Sequence, residues 1–232
     1  RNTNAYEQRI VGGASGAATL NESQYNQSQT TSHFKINYQR SFRAHAISSF
    51  VAVEQSQLKS ETFGASRINF PTTQTPELSQ GGTAAIDQNN WGSSYNFTRR
   101  SFLAKLGYNY SEKYLLELQA RVDGSSTFPK GSQYGFFPSV SAGWRISEES
   151  FMKDVSWLSN LKLRASYGTL GNQTLRDGGR EEYYPYLATF GAGRAPYQFG
   201  SGMIPIVAAP GLVSPALTWE TVVSQNIGLD VS

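Results

Sequence analysis

The chain has 232 residues, a formal net charge of +3 and no cysteine. Its basic residues are dispersed, which argues against a nucleic-acid surface, and the lack of thiols excludes thiol catalysis, disulfides and cysteine-based metal sites. Hydrophobic residues reach only 38%, yet aromatics make up 13% and glycines number 22, a balance that suits exposed β-structure with long polar loops more than a compact soluble core.

No stretch of about 18 apolar residues offers a transmembrane helix, but that test is blind to β-barrels. The chain opens RNTNAYEQRIVGG and closes GLDVS inside an apparent strand. Both ends read as cut, so an internal piece of a longer protein is expected. Gly12, Gly13 and Gly16 read as a flexible loop, because no Lys-Ser/Thr pair completes a phosphate-binding loop.

Seven strands are predicted, at roughly 28–39, 44–56, 95–110, 114–123, 135–147, 160–170 and 219–232. In the first, Phe34, Ile36 and Tyr38 oppose His33, Lys35, Asn37 and Gln39. The second is mixed, with Ile47, Val51 and Val53 against Ala46, Phe50 and Ala52. In the third, Phe102, Ala104, Leu106, Tyr108 and Tyr110 oppose Lys105, Gly107 and Asn109.

The fourth strand alternates Tyr114, Leu116, Leu118, Ala120 and Val122 with Leu115, Glu117, Gln119, Arg121 and Asp123. The fifth alternates Val140, Ala142, Trp144 and Ile146 with Ser139, Ser141, Gly143 and Arg145. In the sixth, Leu161, Leu163, Ala165 and Tyr167 oppose Lys162, Arg164, Ser166 and Gly168. The last has Val223, Ile227, Leu229 and Val231 on one face, with Gln225 among them.

Period-two alternation gives each strand one apolar and one polar face. Lys35, Lys105, Glu117, Arg121, Arg145, Lys162 and Arg164 all fall on polar faces. A Lys or Arg facing lipid at mid-depth costs about 2–4 kcal/mol, so this sorting suits a wall between lipid and water. The fold class expected is therefore all-β, an antiparallel transmembrane β-barrel segment of about seven strands. Lys105, Glu117, Arg121, Arg145, Lys162 and Arg164 are expected to face its lumen.

The connections alternate in length. Residues 40–43, 111–113 and 147–159 are the shorter set, and 57–94, 124–134 and 171–218 the longer. Long loops on one rim and short turns on the other are a mark of bacterial barrels. Tyr38, Tyr108, Tyr110 and Tyr114 lie beside the short turns and read as an aromatic girdle.

In 147–159, Ser147 followed by Glu148 and Glu149 reads as an N-cap with first-turn acids. A helical turn is expected there, with Phe151 and Trp157 packed inward. His33 and His45, on neighbouring strands, read as a facing pair without the extra ligands a metal needs. Asp123-Gly124-Ser125-Ser126 reads as the point where a strand turns into its loop, since the oxygen spacing of a calcium loop is absent.

Glu181 and Glu182 are adjacent on an extended loop, so their carboxylates point apart and suit acid–base chemistry poorly. No catalytic residue, cofactor site or metal site is expected. The loop aromatics Trp91, Tyr183, Tyr184, Tyr186, Phe190, Tyr197 and Phe199 are the candidates for contact with a ligand or partner.

Four segments carry a family resemblance: SEKYLLELQARVDGSSTF, FFPSVSAGWRISEESFMK, LSNLKLRASYGTLGNQ and LTWETVVSQNIGLD. In this order and spacing they resemble the SusC/RagA family of TonB-linked outer-membrane transporters of Bacteroidetes. They total 66 of the 232 residues and span residues 111–230, about half the chain.

The resemblance implies a 22-stranded barrel in the outer membrane of a Gram-negative cell, of which this chain is part of the C-terminal half. It implies an N-terminal plug and TonB box, neither found in this sequence. It also implies a SusD-like surface lipoprotein, energy from the TonB complex, and import of oligosaccharides or peptides. The other readings are a structural or interaction barrel in an envelope complex, without transport of its own, and a soluble β-sandwich binding module.

Overall fold

The structure, a computed structural model, describes residues 2–11, 18–72, 74, 77–152, 155, 157–177, 180–199, 202–214 and 216–232. Within these, only the backbone is described for 2–11, 176–177, 180–181, 192, 194–199 and 202–206. The glycine-rich loop at residues 12–16 lies outside the described residues.

The strands are β1 (Asn2–Val11), β2 (Thr19–Phe42), β3 (His45–Arg67), β4 (Gln88–Tyr110), β5 (Tyr114–Ser125), β6 (Tyr134–Arg145) and β7 (Leu161–Asn172). They continue with β8 (Arg176–Asp177), β9 (Arg180–Glu181), β10 (Gly191–Phe199), β11 (Gly202–Ala208) and β12 (Glu220–Val231). The main sheet has the order β1-β2-β3-β4-β5-β6-β7-β12. Its determined registers are all antiparallel. β8 and β9 form one small hairpin, and β10 and β11 another.

All seven predicted strands are present, and β1 adds an eighth. Three are much longer than expected: β2, β3 and β4 have 24, 23 and 23 residues. Nearly half of the expected loop 57–94 is therefore strand, and the connection shrinks to 68–87. Trp91, expected in that loop, stands in β4.

Two compact units divide the chain. The first comprises 1–32 and 56–98. Here the indole of Trp91 lies against Gly64 of β3, where a Cβ would come within 2.3 Å of the ring. Leu20 and Ser60 are its most deeply buried side chains. The loop between β3 and β4 is tied at its base, where Ile68 N donates to Asp87 O at 3.1 Å and Asn69 Nδ2 to Asp87 Oδ1 at 2.7 Å.

The second unit, 33–55 with 99–232, holds the predicted wall. Its turns are tight. Arg43 (φ 52°) lies in the two-residue β2–β3 turn, and Ser111 (φ 53°) and Glu112 (φ 58°) both adopt positive φ between β4 and β5. Lys113 N donates to Tyr110 O at 2.9 Å across that second turn, as in a type I′ hairpin. Its twist matches the flanking strands, which offsets the left-handed backbone of two non-glycine residues.

This register carries the face assignments across strands. Lys105 stands opposite Gln119, Glu117 opposite Ser141, Ser166 opposite Asn226, and Arg145 opposite Lys162. On the other face, Leu106 stands opposite Leu118, Leu118 opposite Val140, Val140 opposite Tyr167, and Leu163 opposite Leu229. Gln225 faces Tyr167 and stays on the apolar side. The mixed strand resolves as well. Lys35 lies over the Phe50 ring at 4.1 Å, and Ser48 abuts Gly107, so Phe50 and Ser48 belong to the polar face.

Two consequences follow. Substituting Leu118→Arg, mid-strand on the apolar face opposite Leu106 and Val140, should lower the stability of the full-length barrel by about 2–4 kcal/mol in a lipid refolding titration. The sheet leaves one edge of β12 and one of β1 unpaired, and in lipid every backbone N–H and C=O needs a partner. An isolated peptide of these 232 residues should therefore give no heat-modifiable, protease-resistant monomer in detergent.

Candidate functional site

The polar face of the second unit is concave. One trough of about 870 Å³ is lined by Ser48, Asn109, Glu117, Ser141, Arg164 and Asn226, among others. A second, of about 580 Å³, includes Arg99, Arg121, Asp123, Phe137 and Trp219. The six charges singled out from the sequence, Lys105, Glu117, Arg121, Arg145, Lys162 and Arg164, all stand on this face by register.

Most of them are paired. Lys105 Nζ meets Glu117 at 2.5 Å, Arg121 Nε meets Asp123 at 2.5 Å, and Arg164 Nη2 meets Asp230 at 3.1 Å. Arg145 lies 3.6 Å from Glu112. Half-exposed pairs of this kind add little stability. Their effect is to orient long side chains along the wall while leaving hydrogen-bonding capacity toward the trough. Buried acceptors at Asn109 Oδ1, Asp123 Oδ1 and Gln173 Oε1 also line the troughs and have no partner within the described residues.

The opposite face is an apolar belt with two polar rims. On β3 it runs from His45 to Gln55, about ten residues, which at the tilt of barrel strands rises roughly 25 Å. At one rim Arg100 Nη2 donates to Gln55 Oε1 at 2.9 Å. At the other, His45 Nδ1 lies 2.7 Å from Tyr108 Oη, stacks on Phe42 and packs against Tyr110, while Tyr110 stacks on Tyr114. Of the girdle read from Tyr38, Tyr108, Tyr110 and Tyr114, the last three meet here with Phe42 and His45, while Tyr38 is exposed in β2, four residues before Phe42. His33 sits in β2 nine residues before Phe42, far from the turn that carries His45. The facing histidine pair is not formed.

Glu149 holds the connection after β6. Tyr114 Oη donates to it at 2.6 Å, Lys113 Nζ at 3.0 Å and Trp144 Nε1 at 3.2 Å. Those bonds, the tyrosine's first, hold its carboxyl at about 2, well below the ordinary carboxylate range. Ser147 caps nothing. The connection forms two 3-10 turns, Ile146–Glu148 and Ser150–Met152, and Arg145 takes the first N-cap position without a side-chain bond. Nor do Phe151 and Trp157 pack inward; both are exposed. The sequence showed the acids, but not that strand-end donors from a different hairpin would collect one of them.

A third cluster was missed. β5 continues through Asp123 and Gly124 to Ser125, beyond the expected turn. The following loop then folds back, so that Phe128 is 1% exposed. Phe128 packs on Trp219, and Phe137 meets Trp219 edge-on. Trp219 Nε1 donates to Gln133 O at 2.9 Å. Phe137 lies over Gly135 and Gly171, with no room for a Cβ at either. Phe128, Phe137, Gly171 and Trp219 fall within the family-like segments, whose aromatic and glycine residues were the available signal.

Among the loop aromatics, Tyr184 and Tyr186 pack edge-to-face at 6.4 Å and Phe190 is exposed. Tyr183 is half-buried beside them. Tyr197 and Phe199 lie in β10, and their side chains are outside the described residues. Trp91 stacks on its neighbouring strand in the first unit, as above. The structure therefore groups Tyr183, Tyr184 and Tyr186 in one loop and places Trp91 in a strand.

The comparisons with known proteins agree with this fold. The family described as TonB dependent receptor-like, beta-barrel, matches residues 1–232. TonB-dependent receptor P26 of Formosa agariphila is 35% identical over 228 residues, 95% of this chain and 21% of that protein. TonB-dependent receptor SusC of Bacteroides thetaiotaomicron is 37% identical over 132 residues, 56% of this chain and 13% of that protein. The RagAB peptide transporter superposes with a TM-score of 0.82 at 23% identity, over 99% of this chain and 25% of that one.

The chain belongs to the TonB-dependent receptor-like β-barrel family. It spans about a fifth of the length of TonB-dependent receptor P26.

The Glu149 contacts give a pH signature. A lowered folded pKa stabilises the fold above the unfolded value and loses that contribution as pH falls through about 2. In the full-length receptor, Glu149→Gln should lower the unfolding temperature at pH 7, and the gap to wild type should close between about pH 4.5 and 2. Phe128→Ala, at a fully enclosed ring, should cost about 3–5 kcal/mol in denaturant unfolding.

Proposed function

We propose that this chain forms part of the wall of an active importer. In that protein, oligosaccharides or peptides are captured at the surface with a SusD-like lipoprotein and admitted through energy from the TonB complex. The observation that carries this reading is the register-wide sorting of the second unit, with Lys105, Glu117, Arg121, Arg145, Lys162 and Arg164 on one concave face and an aromatic-rimmed apolar belt on the other. A purely structural barrel has no need of a charged wall with unpaired acceptors along its troughs.

On this reading the concave face is the lumen side, and its free acceptors meet water, the plug or passing substrate. Tyr183, Tyr184, Tyr186 and Phe190, with Tyr197 and Phe199, are the loop residues offered to ligand or lipoprotein. Rings suit either partner, since they stack on sugar faces and on peptide side chains. The family relation to SusC and the fold likeness to the RagAB peptide transporter support the class of transporter, each at the level of the family.

The test is uptake by whole cells. Deleting the full-length gene should abolish accumulation of one labelled oligosaccharide or peptide, and the intact gene should restore it only while TonB is present. Uptake that survives deletion of the gene, or that is indifferent to TonB, would overturn the proposal.

A further inference from the structure

The transport reading leaves the connection between β6 and β7 unexplained. It is fixed at both ends. Near its start, Glu149 accepts bonds from Tyr114 and Trp144. These two residues are register partners on the apolar face of the wall, so the segment leaves β6 on that side. At its far end Ser159 N and Asn160 N each donate to Ser232 O at 2.9 Å, and Ser232 N returns a bond to Asn160 O at 3.0 Å. Between them, Met152 N, Val155 N and Leu158 N bond to carbonyls of Glu149, Met152 and Val155.

Two large rings project from this tied segment. Phe151 is 65% exposed and Trp157 81%. Exposure alone does not decide what surrounds these rings; the attachment of their segment to the belt does. The segment meets the belt at its aromatic rim, beside Tyr110, Tyr114 and Trp144, themselves part-exposed on the apolar face.

We infer that residues 146–152, 155 and 157–159 belong to an interfacial clasp, with Phe151 and Trp157 seated in the headgroup–acyl boundary of the leaflet on the short-turn side. The occupant is phospholipid. Indole and phenyl rings favour that boundary because each offers a broad apolar body, and the indole N–H reaches headgroup or water. Glu149 acts as the positioning residue. By gathering Tyr114, Lys113 and Trp144 it keeps the connection against the lipid-side rim and away from the polar face. The inference rests on reading the apolar face as the lipid face.

Single-cysteine labelling of the otherwise cysteine-free full-length receptor, in phospholipid nanodiscs, tests it. An environment-sensitive fluorophore is placed by Phe151→Cys or Trp157→Cys. Leu118→Cys, opposite Leu106 and Val140, serves as the mid-belt control and Ile86→Cys, 87% exposed, as the aqueous one. Labels at 151 and 157 should be quenched by lipid carrying a shallow nitroxide and lose most of the iodide quenching seen at 86.

Iodide quenching equal to that at 86 would overturn the clasp. So would protection from both quenchers, which would mean that protein covers the rings. If the label at 118 also escaped lipid quenching, the lipid-face reading itself would fail. Adding Glu149→Gln should reduce lipid quenching at 157 and leave 118 unchanged; no change at 157 would remove Glu149 from its positioning role.

Discussion

The structure depends on a backbone constraint. In hydrocarbon an unpaired N–H or C=O costs several kcal/mol, so a wall in lipid is made of strands bonded on both sides. Once every strand is paired, side chains have only two directions to go. The register then transmits each choice to the next strand. Leu106, Leu118, Val140 and Tyr167 follow one another across four strands on one face, as Lys105, Gln119, Ser139 and Gly168 do on the other. Slipping any one strand by a single residue would put charge into the belt along its whole length.

That coupling explains which parts were legible in the sequence. β5, β6 and β7 alternate between lipid and water over their whole crossing, and their faces and near-boundaries were readable. The upper reaches of β2, β3 and β4 were not. Segments such as QSQTTS and EQSQLKSETFG are polar on both faces, so the alternation that marks a strand vanishes although the strand continues. Propensity was silent too, because Gln and Ser state no strong preference. Trp91 was misplaced for the same reason.

The features missed outright are those in which residues far apart in sequence meet. Glu149 is 35 residues from Tyr114 and 36 from Lys113. Trp219 lies 86 from Gln133. Neither partnership leaves a local pattern, since the pairing of β7 with β12 across a long insertion sets the second. Phe151 and Trp157 are exposed where a soluble fold would turn large rings inward. At the rim of a belt the surroundings of a ring are different, and pointing outward is no longer a penalty.

A wall of this kind has almost no core in the ordinary sense, and few of its apolar side chains are buried. Packing is done within the sheet instead. Trp91 covers Gly64, Tyr134 covers Gly124, and Phe137 covers Gly135 and Gly171. The polar face uses the same device for charged stems. The Arg164 side chain lies over Gly228, and the Lys162 stem passes Gly143. A glycine beside a long side chain gives that chain a floor along the sheet, lowering the cost of holding it flat. The glycines of this sequence therefore act less as turns than as sockets, which lets one layer of strands position its own aromatic and cationic groups without a second layer behind it.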